Sequence, residues 1–193
     1  MEIAAEERDL PGLMVLQRRT HRDERGSFSR VFCEQEFARL GLPARMVQIN
    51  YSRSEAAGTL RGFHFQYPPS AEAKLVTCVA GEIFDVALDL RPGSPTFLRA
   101  AGVRLRADDH TSVLVPAGCA HAHLTLVDAS ALVYAASAAH DPAAEDGVRF
   151  DDPSIDVAWP RPPVTLSDKD RSWPDLAGRL VDLTRRMRGP RWA

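Results

Sequence analysis

The chain has 193 residues, 45% of them hydrophobic and 26% charged, which are ordinary globular values. That length supports one domain with a full core and no need of staples. With 24 basic and 26 acidic side chains the net charge is −2 and the pI about 6.3, so nothing electrostatic points to a nucleic-acid partner.

Cys33, Cys78 and Cys119 are sparse, odd in number and without metal-ligand spacing, which suits a reducing cytoplasm better than a disulfide framework. No apolar run is long enough for a membrane span. The acidic start, with Glu2, Glu6, Glu7 and Asp9, is the opposite of a basic signal-peptide start.

In chain order, residues 1–22 predict short strands around Leu13-Met14-Val15-Leu16. Asp23-Glu24-Arg25-Gly26 predicts a turn. Ser27–Cys33 reads as a strand, Glu34–Leu40 as a short helix stopped by Gly41, and Met46–Ser52 as a strand with Gln48 and Asn50 on one face. Lys74–Ala80 and Glu82–Leu90 are two apolar strands broken by Gly81. In the second, Phe84, Val86 and Leu88 share one face, and Asp85, Ala87 and Asp89 the other. Carboxylates in such a strand need partners if they are buried. Val103–Leu105, Ser112–Val115, Ala122–Leu126 and Ala131–Ala135 continue at the spacing of a sandwich or barrel. Asp151-Asp152-Pro153 and Trp159-Pro160-Arg161-Pro162-Pro163 predict coil. Leu176, Leu180, Leu183 and Met187 have helical spacing, ended by Gly189-Pro190.

The stretch Leu60-Arg61-Gly62-Phe63-His64-Phe65-Gln66 concentrates chemistry. Arg61 holds a permanent charge, and His64 can take a proton near neutral pH. On a regular strand these two side chains point to opposite faces. If both serve one pocket the strand must bulge between them, and Gly62 is the residue type for that. A half-buried strand with a core histidine is the plainer reading.

Pro116-Ala117-Gly118-Cys119-Ala120-His121 has the form P-x-G-x-x-H, half of the cupin signature, which is a double-stranded β-barrel of the jelly-roll kind. The His-x-His pair and glutamate that metal-binding cupins carry earlier in the chain are missing around His64. His121 and His123 alone make a poor metal site, so no metal is expected.

The ordered set of these stretches resembles the dTDP-4-dehydrorhamnose 3,5-epimerase family of metal-free cupins. It comprises Asp23–Gly26, Leu60–Gln66, Lys74–Val76, Gly81–Arg91 with Gly93–Thr96, Pro116–His121, Tyr134, Asp151–Pro153 and Leu166–Asp170. The resemblance implies an all-β cupin jelly roll with a few short peripheral helices. It implies one epimerase domain over residues 1–193, with a helical tail at about 172–189. It also implies a cytoplasmic homodimer with exchanged N-terminal strands, no cofactor, and a nucleotide-diphosphate keto-sugar as substrate, with neither nucleic acid nor membrane as partner.

Inverting a carbon beside a ketone needs a base, a stabiliser for the enolate and an acid across the ring. The family positions assign His64 as base, Asp170 as its dyad partner, Lys74 as enolate stabiliser and Tyr134 as acid. Arg25, Arg61 and Lys169 suit diphosphate and polar sugar contacts. Gln48, Asn50, His121 and Glu145 fall at substrate-contact positions, with Asp85 suggested to orient His121.

The chain also departs from the family. Arg30 stands where thymidylate enzymes carry a base-accepting glutamate, and arginine has no acceptor. Ile49 interrupts Gln-Asp-Asn, Ala122-His123 replaces Gly-Phe, and Ala139-His140 replaces a second pocket tyrosine. A mono-epimerase acting on a CDP- or GDP-linked keto-sugar is therefore one alternative. A sugar ketoisomerase, a metal-dependent oxygenase and a non-catalytic sugar-binding cupin are others.

Overall fold

The structure, a computed structural model, describes residues 2–189. Strands β1 (Ile3–Glu7), β2 (Met14–Arg18), β10 (Thr111–Val115), β7 (Lys74–Ala80), β12 (Ser130–Ala136) and β5 (Gln48–Ser54) pair in that order as one antiparallel sheet. Strands β13 (Glu145–Gly147), β6 (Leu60–Gln66), β11 (Cys119–Thr125), β8 (Glu82–Asp89) and β9 (Ala100–Arg106) form a second. Strands β3 (Thr20–Asp23) and β4 (Gly26–Ser29) make a separate hairpin. Two antiparallel sheets packed face to face are the jelly-roll architecture.

Three apolar layers hold the sheets. Between them lie Val76 and Cys78 of β7, Ile83 and Ala87 of β8, Leu105 of β9 and Leu132 of β12. Outside the six-stranded sheet, Ile3, Leu16, Leu75 and Leu114 pack beneath Phe37 of helix α1 (Glu34–Arg39). Outside the five-stranded sheet, Phe63, Phe65, Val86 and Leu88 are covered by Trp159, Leu176, Leu183 and Met187 from the C-terminal segment. The apolar face of β8 therefore lies under the C-terminal segment. Its carboxylate face looks into the barrel, where partners are needed and present. Asp89 is fully buried and bound by Arg91 twice at 2.9 Å, by Ser94 at 2.6 Å and by Thr96 at 2.7 Å. Every oxygen is satisfied, so this buried ion pair fixes the turn that follows β8.

Several predicted bounds move. The strand expected over Ser27–Cys33 ends at Ser29, because Phe32 turns in to meet the Phe37 ring edge-on at 4.7 Å. The strand expected from Ala122 begins at Cys119, directly after Gly118 takes a positive φ. The strand expected from Met46 begins at Gln48. The helical spacing from Leu176 resolves into a single 3-10 turn (Leu176–Gly178) and helix α3 (Leu180–Arg186), separated at Arg179, whose φ of −130° is not helical. Gly189 has a positive φ, and Pro190 lies outside the described residues. Helix α2 (Asp168–Ser172) was not predicted. Among the described residues no helix is long and apolar enough to cross a membrane.

Candidate active site

Gly62 shapes the site. On β6, His64 stands opposite His121 and Arg61 opposite His123, so Gly62 and Phe63 together face the single residue Ala122. This is the bulge the sequence called for. A Cβ on Gly62, whose φ is +114°, would sit 2.5 Å from the His121 carbonyl oxygen and 2.7 Å from Ala122. Only glycine lets β6 and β11 approach this closely. The Gly62–Phe63 peptide is cis. With the bulge, Phe63 and Phe65 point to the outer core while Arg61 and His64 both line one cavity of about 600 Å³.

His64 Nε2 lies 2.6 Å from Asp170 Oδ1. Asp170 is presented by α2, whose cap Ser167 accepts the Asp170 amide at 3.1 Å. The Gly62 amide donates to the other Asp170 oxygen at 3.4 Å. Burial pushes the Asp170 carboxyl up, but the hydrogen bond and charge of His64, with the Gly62 amide, outweigh it and hold it below the usual range. The carboxylate is thus ionised, and can fix the imidazole tautomer and stabilise an imidazolium.

On the adjoining strand His121 Nε2 lies 2.7 Å from Asp85 Oδ2. The suggested pair is real but diagonal: the backbone partner of Asp85 is His123, and that of His121 is Ala87. The His123 ring stacks on that of His121, with centroids 6.1 Å apart. Burial, with the charges of His121 and Arg61, drives the His123 imidazole well below its ordinary range, so it is neutral.

The opposite wall belongs to the six-stranded sheet. Tyr134 of β12 lines the cavity, and burial with the charge of Glu72 pushes its phenol up, so it carries its proton at neutral pH. Lys74 of β7 is 3.0 Å from Glu72 and reaches the His64 carbonyl oxygen at 3.4 Å. Glu72 is held in turn by Gln66 at 2.9 Å. Gln48 donates to Asn50 at 3.1 Å, and the Asn50 amide nitrogen is buried without a partner among the described residues. A smaller cavity of about 230 Å³ adjoins, sharing Asn50, His64, Lys74 and Tyr134 and adding Gln48, His140 and Glu145. Glu145 neutralises Lys169 at 2.8 Å. Arg61 donates only to Ser54 and to the Arg53 carbonyl, so among the described residues it is the cavity cation with no carboxylate partner.

Ten of the twelve predicted side chains thus line the two cavities. Arg25 and Arg30 do not. Arg25 is exposed on the β3–β4 hairpin and paired with Asp23. Arg30 lies 3.9 Å from Glu36 of α1. Sequence reasoning missed Glu72 and Ser167, although Ser167-x-x-Asp170 is a readable helix-cap pattern. Cysteine chemistry is absent from the cavity walls, and burial raises the Cys78 and Cys119 thiols to about 11 and about 12. Among the described residues no three His, Cys, Asp or Glu side chains are placed to hold a metal ion.

A base–carboxylate pair on one wall and a protonated phenol on the other can take a proton from one face of a sugar ring and return one to the other. The sequence pattern defining the dTDP-4-dehydrorhamnose 3,5-epimerases matches residues 7–178. The chain belongs to the dTDP-4-dehydrorhamnose 3,5-epimerase family. The Shigella flexneri dTDP-4-dehydrorhamnose 3,5-epimerase is 39% identical over 163 residues, 84% of this chain and 90% of that one. The structure superposes on the Legionella pneumophila dTDP-6-deoxy-D-glucose-3,5-epimerase RmlC, in complex with dTDP-4-keto-L-rhamnose. That match has a TM-score of 0.88 and 33% identity, covering 94% of this chain and 96% of that one. It also matches ChmJ, a 3'-monoepimerase from Streptomyces bikiniensis in complex with dTDP-quinovose. Here the TM-score is 0.84 and the identity 34%, over 92% and 90% of the two chains. The cupin jelly roll expected from the sequence is the fold of this epimerase family.

Proposed function

We propose that this isomerase epimerises a dTDP-4-keto-6-deoxy sugar beside its ketone, as a step of deoxysugar biosynthesis, and that His64 and Tyr134 move the protons. The observation that carries the assignment is their placement on facing sheets of one cavity. His64 abstracts the proton alpha to the C4 ketone, and Asp170 stabilises the imidazolium. Negative charge builds on the C4 oxygen, where the Lys74 ammonium stabilises the enolate. Tyr134 then protonates the same carbon from the opposite face. Arg61, whose charge no carboxylate among the described residues neutralises, takes the diphosphate, with Lys169 nearby. Gln48, Asn50, His121 and Glu145 hold the sugar. The chemistry is proton transfer throughout and draws on no cofactor.

The enzyme works as a cytoplasmic homodimer with exchanged N-terminal strands. In support, Arg25 and Arg30 lie outside the cavity of their own chain. Phe28 on the hairpin and Ile49 and Tyr51 on edge strand β5 are exposed apolar residues of the kind an interface covers. Arg25 and Arg30 then act at the partner's cavity.

Incubation in deuterated water with thymidine-, cytidine- and guanosine-diphospho-4-keto-6-deoxyglucose, followed by NMR, tests the activity. Deuterium should enter C3, C5 or both of the thymidine sugar, with inversion. No exchange with any of the three would sink the assignment, and inversion confined to C3 would make the enzyme a mono-epimerase.

A further inference from the structure

Three imidazoles line the larger cavity, and one has no task in the chemistry above. His64 and His121 are each held by a carboxylate, at 2.6 and 2.7 Å. Neither His123 ring nitrogen has a hydrogen-bond partner among the described residues, although the residue is only 6% exposed. The ring nitrogens are not among the fully buried, unpaired side-chain atoms of the described residues, so they open to the cavity His123 lines and are free to bond what enters it.

Strand register says what that is. Across β6 and β11, His64 faces His121, and Arg61 faces His123. His123 therefore stands one step along the sheet from the proton-transferring residue, level with the unneutralised guanidinium. On the reading that His64 works at the carbons beside C4 and Arg61 at the diphosphate on C1, the ring positions between them are C2 on the C3 side and the ring oxygen on the C5 side, and of these only C2 carries a hydroxyl.

We propose that His123 is a substrate-binding residue that hydrogen-bonds the C2 hydroxyl of the hexose, making the enzyme selective for 2-hydroxy over 2-deoxy nucleotide sugars. This inference rests on the proposed sugar orientation, so its test uses non-reacting ligands and does not need turnover. A neutral imidazole is suited to the job, because it offers one donor and one acceptor to a hydroxyl without placing a second cation beside Arg61. A site built to bond a hydroxyl rejects the analogue that lacks it, since its own polar group is then left unpaired.

Calorimetry with thymidine diphosphate-glucose and its 2-deoxy analogue tests the proposal. The wild-type enzyme should bind the 2-hydroxy sugar about ten-fold more tightly, as expected of one net hydrogen bond. His123→Phe, close in size and without ring nitrogens, should bind both sugars equally. His123→Gln, which keeps a donor and an acceptor, should retain part of the preference. Affinity for thymidine diphosphate alone should not change in either variant, which reports a folded cavity. Equal binding of the two sugars by wild type overturns the proposal, as does an undiminished preference in His123→Phe. If His123→Phe does not fold, the wild-type and His123→Gln ratios still decide. Failure of the epimerase reading would show separately, as absence of deuterium exchange.

Discussion

The two histidine–carboxylate pairs of the cavity look alike and differ where it matters. Their bonds are 2.6 and 2.7 Å long, and their histidines face each other across β6 and β11. The His64 side chain is 33% exposed, and that of His121 only 8%. Asp170 binds with both oxygens, whereas Asp85 Oδ1 is buried without a partner among the described residues. The sources differ too: Asp85 is a neighbour on β8, whereas Asp170 arrives from 106 residues downstream on α2. A hydrogen-bonded imidazole alone does not identify a base. Access to the substrate and a fully satisfied carboxylate do, and both favour His64.

The largest effect should follow removal of the open imidazole. His64→Ala should cost about 10²–10⁴-fold in kcat and abolish deuterium exchange as well as inversion. Exchange persisting in that variant would transfer the base to His121. Asp170→Asn keeps the geometry but removes the charge that stabilises the imidazolium, and should cost about 10²-fold in kcat. An unchanged rate there would make the two pairs equivalent. Tyr134→Phe removes only the phenolic proton, so NMR should find inversion suppressed more than exchange, because His64 still returns deuterium to its own face. Inversion at the wild-type rate would move the acid elsewhere. Asp85→Asn should act on the fold instead. Chemical denaturation should register a loss of about 1–3 kcal/mol, while exchange at the sugar continues.

The smallest effect concerns pH. Burial depresses the His123 imidazole in the folded chain, whereas the unfolded chain titrates near its ordinary value of about 6.5. The folded state is therefore favoured above that pH and loses stability as pH falls below it. His123→Phe should make the decline between pH 7 and 5 shallower, by at most about 1.4 kcal/mol per pH unit. An identical slope in wild type and variant would mean that His123 takes up protons alike in the folded and unfolded chain.

The bulge at Gly62 was legible because the requirement was local: two functional side chains three apart on a strand must share a face. Most strands were legible from alternation, and the buried carboxylates of β8 from the rule that they need partners. Helix α2 was not, since five residues carry no helical period and only Ser167 marks its start. Strand β4 was overrun because Arg30–Cys33 has strand-like composition, and the packing of Phe32 on Phe37 is a tertiary fact. The cavity's makeup from two sheets was available only through the family resemblance. Arg25 and Arg30 show the limit, for they lie outside the cavity of the chain that carries them. His123 was visible as a departure from the family pattern, but its burial and missing partner were not.

The last segment of the chain both closes the outer core and completes the His64–Asp170 pair. Residues 151–189 cover Phe63, Phe65 and Leu88 with Trp159, Leu176 and Leu183, and they also supply Asp170. A ribosome making this chain completes every strand of both sheets before Asp170 exists. The same docking event that hides the last sticky aromatic face hands His64 its carboxylate. On the proposed mechanism, a copy whose C-terminal segment is not docked lacks the carboxylate that stabilises the His64 imidazolium, so its turnover should fall as it does in Asp170→Asn.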